Sequence, residues 1–179
     1  EPAEFALTAA APAPAGMTTA ADGNYRAITT AQQLQELVNI LNQQKLIALD
    51  TETIGLGHRA PVCGLSLAWE PGSAVYIPLC SPQPEKHLTQ SEVLAALKPV
   101  FENPEIGKCG HNLKYDLLVL RHAGAEVYGV VFDSMIAGFL LNHSGLGLDA
   151  LAVTQLRHHM MQITQLIGLS APGRRQQQK

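Results

Sequence analysis

Two rhythms of apolar spacing alternate along the chain. One recurs every three or four positions and predicts helices; the other alternates or runs on between turn residues and predicts strands. Residues 30–43 place Leu34, Leu37, Val38 and Leu41 on one helical face behind a candidate cap at Thr29 or Thr30. Residues 90–101 repeat the pattern with Val93, Leu94, Leu97 and Val100, and Pro99, which has no N–H to donate, shapes the last turn. Further helices are predicted over 112–122, closed by Gly124 where a left-handed residue is wanted, over 134–141, and over 149–156 with Asp149 as its cap. Strands are predicted over 25–28, 45–50, 62–69, 74–79, 106–109 and 127–132. Between two of them, Glu70-Pro71-Gly72-Ser73 reads as a type II turn, so that pair is a hairpin. The order β-α-β-β-β-α-β-α-β-α-α predicts an α/β fold, a mixed sheet flanked by helices.

Residues 1–23 are rich in Ala and Pro, lack an apolar period and read as a linker. Residues 24–168 form the domain, its last stretch from 158 only weakly helical, and 169–179 are a polar tail. A chain of 179 residues, 46% hydrophobic, has room for one domain with a sizeable core. No apolar run approaches the roughly 20 residues a bilayer crossing needs. The chain begins at Glu1 with no secretory leader pattern, and it is expected to be a piece of a longer cytoplasmic protein.

A net charge of −3 lacks the basic surplus of many nucleic-acid binders. That lowers the case for such a partner only a little, because an enzyme that recruits metal cations can stay acidic overall. Cys63, Cys80 and Cys109 form an odd set without C-x-x-C spacing, so reduced thiols are expected rather than a zinc site or a disulfide framework.

The candidate chemistry lies in the run from Lys45 to Thr53. Strand side chains alternate, so Asp50 and Glu52 point to one face at the strand's end. Adjacent carboxylates repel unless a cation sits between them, and hard oxygen ligands suit Mg²⁺ or Mn²⁺. Asn112 and Asp116, four apart on a predicted helix, share a face. With Leu113, Leu117 and Leu120 packed on the sheet, Asp116 is left at the margin, where it becomes a third carboxylate. Asp133, between a strand and a helix, reads as an N-cap. His158 and His159 diverge by about 100° on a helix of ~3.6 residues per turn and cannot form a metal pair. There is no P-loop, and Gly64-Leu-Ser-Leu-Ala68 lacks the closing Gly of a nucleophile elbow.

The segments LIALDTETIGL, GLSLAWEPGSAVYIPL, GKCGHNLKYDLLVL and FDSMIAGFLLN, in that order, resemble the proofreading 3′-5′ exonuclease domain of bacterial family A DNA polymerases, the DNA polymerase I family. The likeness runs from about Tyr25 to Gly168. It implies a ribonuclease H-like (DnaQ-like) fold in the DEDD exonuclease superfamily, in the subgroup with a catalytic tyrosine. By that resemblance Asp50 bridges two Mg²⁺ or Mn²⁺ ions, Glu52 serves the nucleophile-side ion, and Asp116 serves the other largely through water. The implied reaction is two-metal hydrolysis of the 3′-terminal phosphodiester of DNA, releasing nucleoside 5′-monophosphates. Thr51 would offer its backbone, Leu56 would wedge against the terminal base, and Asn112 and Tyr115 would contact the strand end. Such contacts suit a single-stranded or frayed 3′ end, with a polymerase domain linked covalently in the parent protein and no membrane partner.

One part of the family pattern is missing. Its third motif, Y-x-x-x-D, supplies a tyrosine and a fourth metal ligand, and no Y-x-x-x-D occurs here; the last tyrosine is Tyr128. Truncation is the simplest account, and the chain is expected to have little or no exonuclease activity. Two other readings remain open: a catalytically silent module that binds nucleic acid or spaces its neighbours, and an RNA-trimming, ribonuclease D-like exonuclease. Retention of Asp50, Glu52 and Asp116 speaks against the first for the parent protein, and the hairpin text AWEPGSAVYIPL against the second.

Overall fold

The computed structural model describes residues 23–81 and 83–161. The linker through residue 22, residues 162–168 of the weakly helical stretch and the polar tail lie outside them. The chain runs through β1 (Asn24–Ala27), α1 (Ala31–Leu41), β2 (Leu46–Thr53), β3 (Val62–Glu70) and β4 (Ser73–Pro78). It continues through α2 (Gln90–Phe101), β5 (Gly107–Gly110), α3 (Leu113–His122), β6 (Val130–Asp133), α4 (Ser134–Leu140) and α5 (Leu148–Leu156). This is the element order that the apolar spacing predicts.

Local chemistry sets several boundaries. Thr30 and Gln33 form a capping box on α1, and Thr89 and Glu92 form another on α2, each satisfying N–H groups that the first helical turn leaves unpaired. Gly72 has φ +82, as the third position of a type II turn requires, and the hairpin β3–β4 closes there. Gly124, at φ +94, ends α3 and lets Ala125 N–H reach back to the Leu120 carbonyl.

The strands form one mixed sheet in the order β1-β4-β3-β2-β5-β6. β3 is antiparallel to both β2 and β4, while β1 runs parallel to β4, β5 to β2 and β6 to β5. The period-two pleat sorts the central strands into two faces. Ile47, Leu49, Leu65, Leu67, Val75 and Ile77 join the buried side chains of α1, α2 and α3 in one core cluster. Burying each such aliphatic side chain contributes about 2 kcal/mol. The opposite face carries Ala48, Asp50, Ser66, Ala68 and Ala74, whose short side chains floor a groove of about 410 Å³.

The structure departs from the sequence expectations at several points. β2 continues past Asp50 to Thr53, and its pairing with β3 shifts between Glu52 and Thr53. β6 begins at Val130 rather than 127, because Tyr128 N–H is drawn to the Phe101 carbonyl and Gly129 turns at φ +77. The loop after β4 contains a short 3-10 turn, Pro84–Lys86. Gly147, not Asp149, is the cap of α5; Asp149 lies in the first helical turn, where its charge complements the helix dipole. His158 and His159 are not helical, since α5 ends at Leu156 and Arg157 turns left-handed. No helix among the described residues is long and apolar enough to cross a membrane.

Candidate active site

The end of β2 gathers the predicted carboxylates from two directions. Asp50 lies opposite Ser66 and Glu52 opposite Gly64, both on the groove face of the sheet. Thr51, between them, points the other way and is buried against α3. Its N–H donates to Asp116 Oδ1 at 2.8 Å and its hydroxyl donates to the same oxygen at 2.6 Å. Asp116 is only 3% exposed, so it is not the marginal residue that helix spacing predicts; it is a buried carboxylate that ties α3 to β2. Thr51's N–H is correspondingly committed within the protein.

Electrostatics join the three acids. Burial first, then the charges of Asp116 and Glu52, push the Asp50 carboxyl up to about 6, even though its side chain reaches solvent along the groove. Asp116 is also raised, by burial, against the opposing pull of its bonds from Thr51. A site that resists ionising its own carboxylates is one that a cation relieves. Among the described residues, however, no group of three or more His, Cys, Asp or Glu side chains stands ready to hold a metal ion together.

Asn112 does not share a helical face with Asp116. It precedes α3 as the N-cap residue in a left-handed conformation, φ 58, exposed, with its N–H donating to Asp133 Oδ1 at 3.1 Å. Asp133 does more than the single cap expected of it. It accepts Met135 and Ile136 N–H at the start of α4 and Leu113 N–H at the start of α3. The strand-to-helix position of Asp133 signals the first role; nothing local signals the second, because its partners lie about twenty residues upstream.

The segment between β2 and β3 carries Leu56, which is 99% exposed. Tyr115 braces this segment from α3: its ring packs against the core, and its hydroxyl lies 3.0 Å from Thr53 Oγ1 and 3.4 Å from the Gly57 carbonyl. Thr53 Oγ1 in turn donates to the Gly55 carbonyl. Leu56 projects into solvent from this braced segment, between Gly55 and Gly57, both at positive φ. His111 bonds Ser134 Oγ through Nδ1 at 2.9 Å on the groove wall.

Comparisons with known proteins identify the family and the fold. A family model described as 3′-5′ exonuclease matches residues 25–168. The chain is 35% identical over 139 residues to DNA polymerase I of Pseudomonas aeruginosa, covering 73% of this chain and 15% of that protein. It is 38% identical over 131 residues to DNA polymerase I of Chloroflexus aurantiacus, covering 73% of this chain and 14% of that protein. The chain therefore spans about one seventh of the length of these relatives. Among solved structures, the catalytic core of RRP6 from Trypanosoma brucei superposes with a TM-score of 0.68 at 19% identity, covering 83% of this chain and 39% of that one. Brucella melitensis NrnC with bound Mg²⁺ gives a TM-score of 0.55 at 24% identity, covering 77% and 63%. These likenesses show the ribonuclease H-like fold.

Proposed function

The chain belongs to the 3′-5′ exonuclease family, and on that premise we propose that it is the proofreading part of a DNA polymerase I, removing nucleotides from a single-stranded or frayed 3′ end of DNA. The observation that carries this reading is the placement of the acids at the end of β2. Asp50 and Glu52 face the groove, and Asp116 is locked to the Thr51 between them. The donor set is all oxygen, which fits Mg²⁺ or Mn²⁺. Asp50 and Glu52 would hold the ions directly. Asp116 would act largely through water, since Thr51 already engages its Oδ1. Mg²⁺ keeps several waters and needs only one or two carboxylates, so a site without three converging ligands still suits it. Bound divalent ions supply an acidified water and neutralise charge on the phosphate.

The remaining residues position the strand end. Leu56 offers an apolar wedge for the terminal base, Tyr115 fixes the segment that carries it, and Asn112 sits exposed at the mouth of α3. Wedging of this kind needs no base sequence. That the relatives are DNA polymerases supports DNA over RNA as the substrate, whereas the likeness to RRP6 supports the fold alone. The polymerase domain of those relatives makes a covalently linked polymerase the expected neighbour of this chain.

The sequence contains no Y-x-x-x-D, so turnover by this chain is expected to fall well below that of a family member with all three motifs. The test is digestion of 5′-labelled single-stranded DNA with Mg²⁺ or Mn²⁺. Slow shortening from the 3′ end, abolished by Asp50→Ala, is the expected result. Turnover equal to an intact family member overturns the impairment, and shortening that survives Asp50→Ala overturns the site.

A further inference from the structure

Tyr76 of β4 stands on the same sheet face as Asp50 and Glu52. The register makes this so: Tyr76 pairs with Ser66, Ser66 pairs with Asp50, and Gly64, two residues before Ser66, pairs with Glu52. The Tyr76 ring leans over Gly64. A Cβ built on Gly64 would clash with the phenol oxygen and Cζ of Tyr76, so a side chain at 64 and the phenol cannot occupy the same space.

Glu52 is the cross-strand neighbour of Gly64 on the other side, and Cβ atoms of directly opposed residues stand ~4.5–5.5 Å apart. The Tyr76 phenol and the Glu52 side chain therefore lie on either side of one glycine, on the same sheet face. The phenol's proton affinity reflects the same neighbourhood, raised by burial first and then by Cys63 and Glu52, so the hydroxyl stays a donor at neutral pH.

We infer that Tyr76 is a positioning residue for Glu52, its phenol donating through water to the outer carboxylate oxygen and holding Glu52 toward the cation. Gly64 supplies the space that lets the phenol sit there. Partners of this kind orient metal-ligating carboxylates, and losing one typically costs about 10–100-fold in metal affinity. The inference rests on the metal-site reading above.

The test is Mn²⁺ binding to the chain, followed by electron paramagnetic resonance of free and bound Mn²⁺. Tyr76→Phe keeps the ring over Gly64 and removes only the hydroxyl. It is expected to weaken Mn²⁺ binding about tenfold and to alter the bound-Mn²⁺ spectrum, with the metal-free melting temperature unchanged. Gly64→Ala, which displaces the phenol, should produce the same loss, and should add nothing in the Tyr76→Phe background. Equal Mn²⁺ affinity and spectrum in wild type and Tyr76→Phe overturn the inference and leave the proposed function standing. Failure of the wild-type chain to bind Mn²⁺ overturns the metal site and the inference with it. Should Tyr76→Phe fail to fold, Gly64→Ala alone carries the test, with undiminished Mn²⁺ affinity as the overturning result.

Discussion

Asp133 takes four backbone N–H bonds, two from the start of α4 and two from the turn into α3. Burial alone would raise its carboxyl, but these bonds outweigh it and hold it below the usual range. A carboxyl depressed in the folded state adds stability that is present above its unfolded pKa and lost as pH falls through the folded one. Asp133→Ala should therefore cost about 2 kcal/mol at pH 7, the upper end for a cap because two helices lose their acceptor. The deficit should shrink toward acid pH; urea melts at pH 7 and pH 3 showing a constant difference would contradict this. Lys108 has the opposite sign. It is 0% exposed, its Nζ donates to the Asn103 carbonyl at 2.6 Å, and burial lowers it to about 8. The unfolded chain then holds the proton more tightly, so stability rises with pH through about 8 and onward to the unfolded value. Lys108→Met should flatten that rise and stabilise the protein at pH 7 by on the order of 1 kcal/mol. A variant less stable than wild type at pH 7 would show that the bond to Asn103 outweighs the buried charge.

At the scale of elements, the segment between β2 and β3 and the first turns of α3 form one unit around the carboxylates. Leu56 contributes nothing to the core at 99% exposure, so Leu56→Ala should leave the melting temperature unchanged. Losing a base contact costs roughly 1–3 kcal/mol in single-strand binding, so affinity for a fluorescent oligonucleotide should drop about fivefold or more. The loss should vanish when the label's 3′ end is buried in a duplex; equal loss on both substrates would mean Leu56 does not meet the strand end. The period-two run into Asp50 and Glu52 was readable because one strand carries both acids and its register with β3 keeps them on one face. The helical spacing of Leu34, Leu37, Val38 and Leu41 was readable for the same reason, since burial follows the repeat directly. The setting of Asp116 was not. Helix periodicity names a face but not the depth at which a helix end meets a strand, and here two bonds from Thr51 draw the carboxylate into the interior. Asn112 departs from the helical spacing because a left-handed cap breaks the four-residue repeat that would align it with Asp116. The placement of Tyr76 over Gly64, opposite Glu52, depends on pairing across three strands, which no local pattern encodes.

For the whole molecule, the proposed metal site would couple metal binding to folding. Burial and its acidic neighbours push the Asp50 carboxyl up to about 6 in the folded state, so the folded protein holds this proton over a window where the unfolded chain has released it. Stability from this group is present below the unfolded value and is lost as pH rises through about 6. At pH 7 the metal-free protein therefore folds against repulsion among Asp50, Glu52 and Asp116. Because Asp50 reaches solvent, screening limits that cost to on the order of 1 kcal/mol. Mn²⁺ reverses the balance: a ligand that binds only the folded state stabilises it by about 2.7 kcal/mol at a hundred times its Kd. Asp50→Asn separates the two effects. Without metal at pH 7 it should melt higher than wild type, because a repelling charge is gone; with saturating Mn²⁺ it should melt lower, because the cation has lost its central ligand. At pH 3, below the unfolded value, where Asp50 is protonated in both states, the metal-free difference should close. Calorimetric melts over these conditions decide the matter: a metal-free Asp50→Asn protein that melts below wild type at pH 7 would mean the Asp50 carboxylate stabilises the fold, and that the three acids do not form a strained site awaiting a cation.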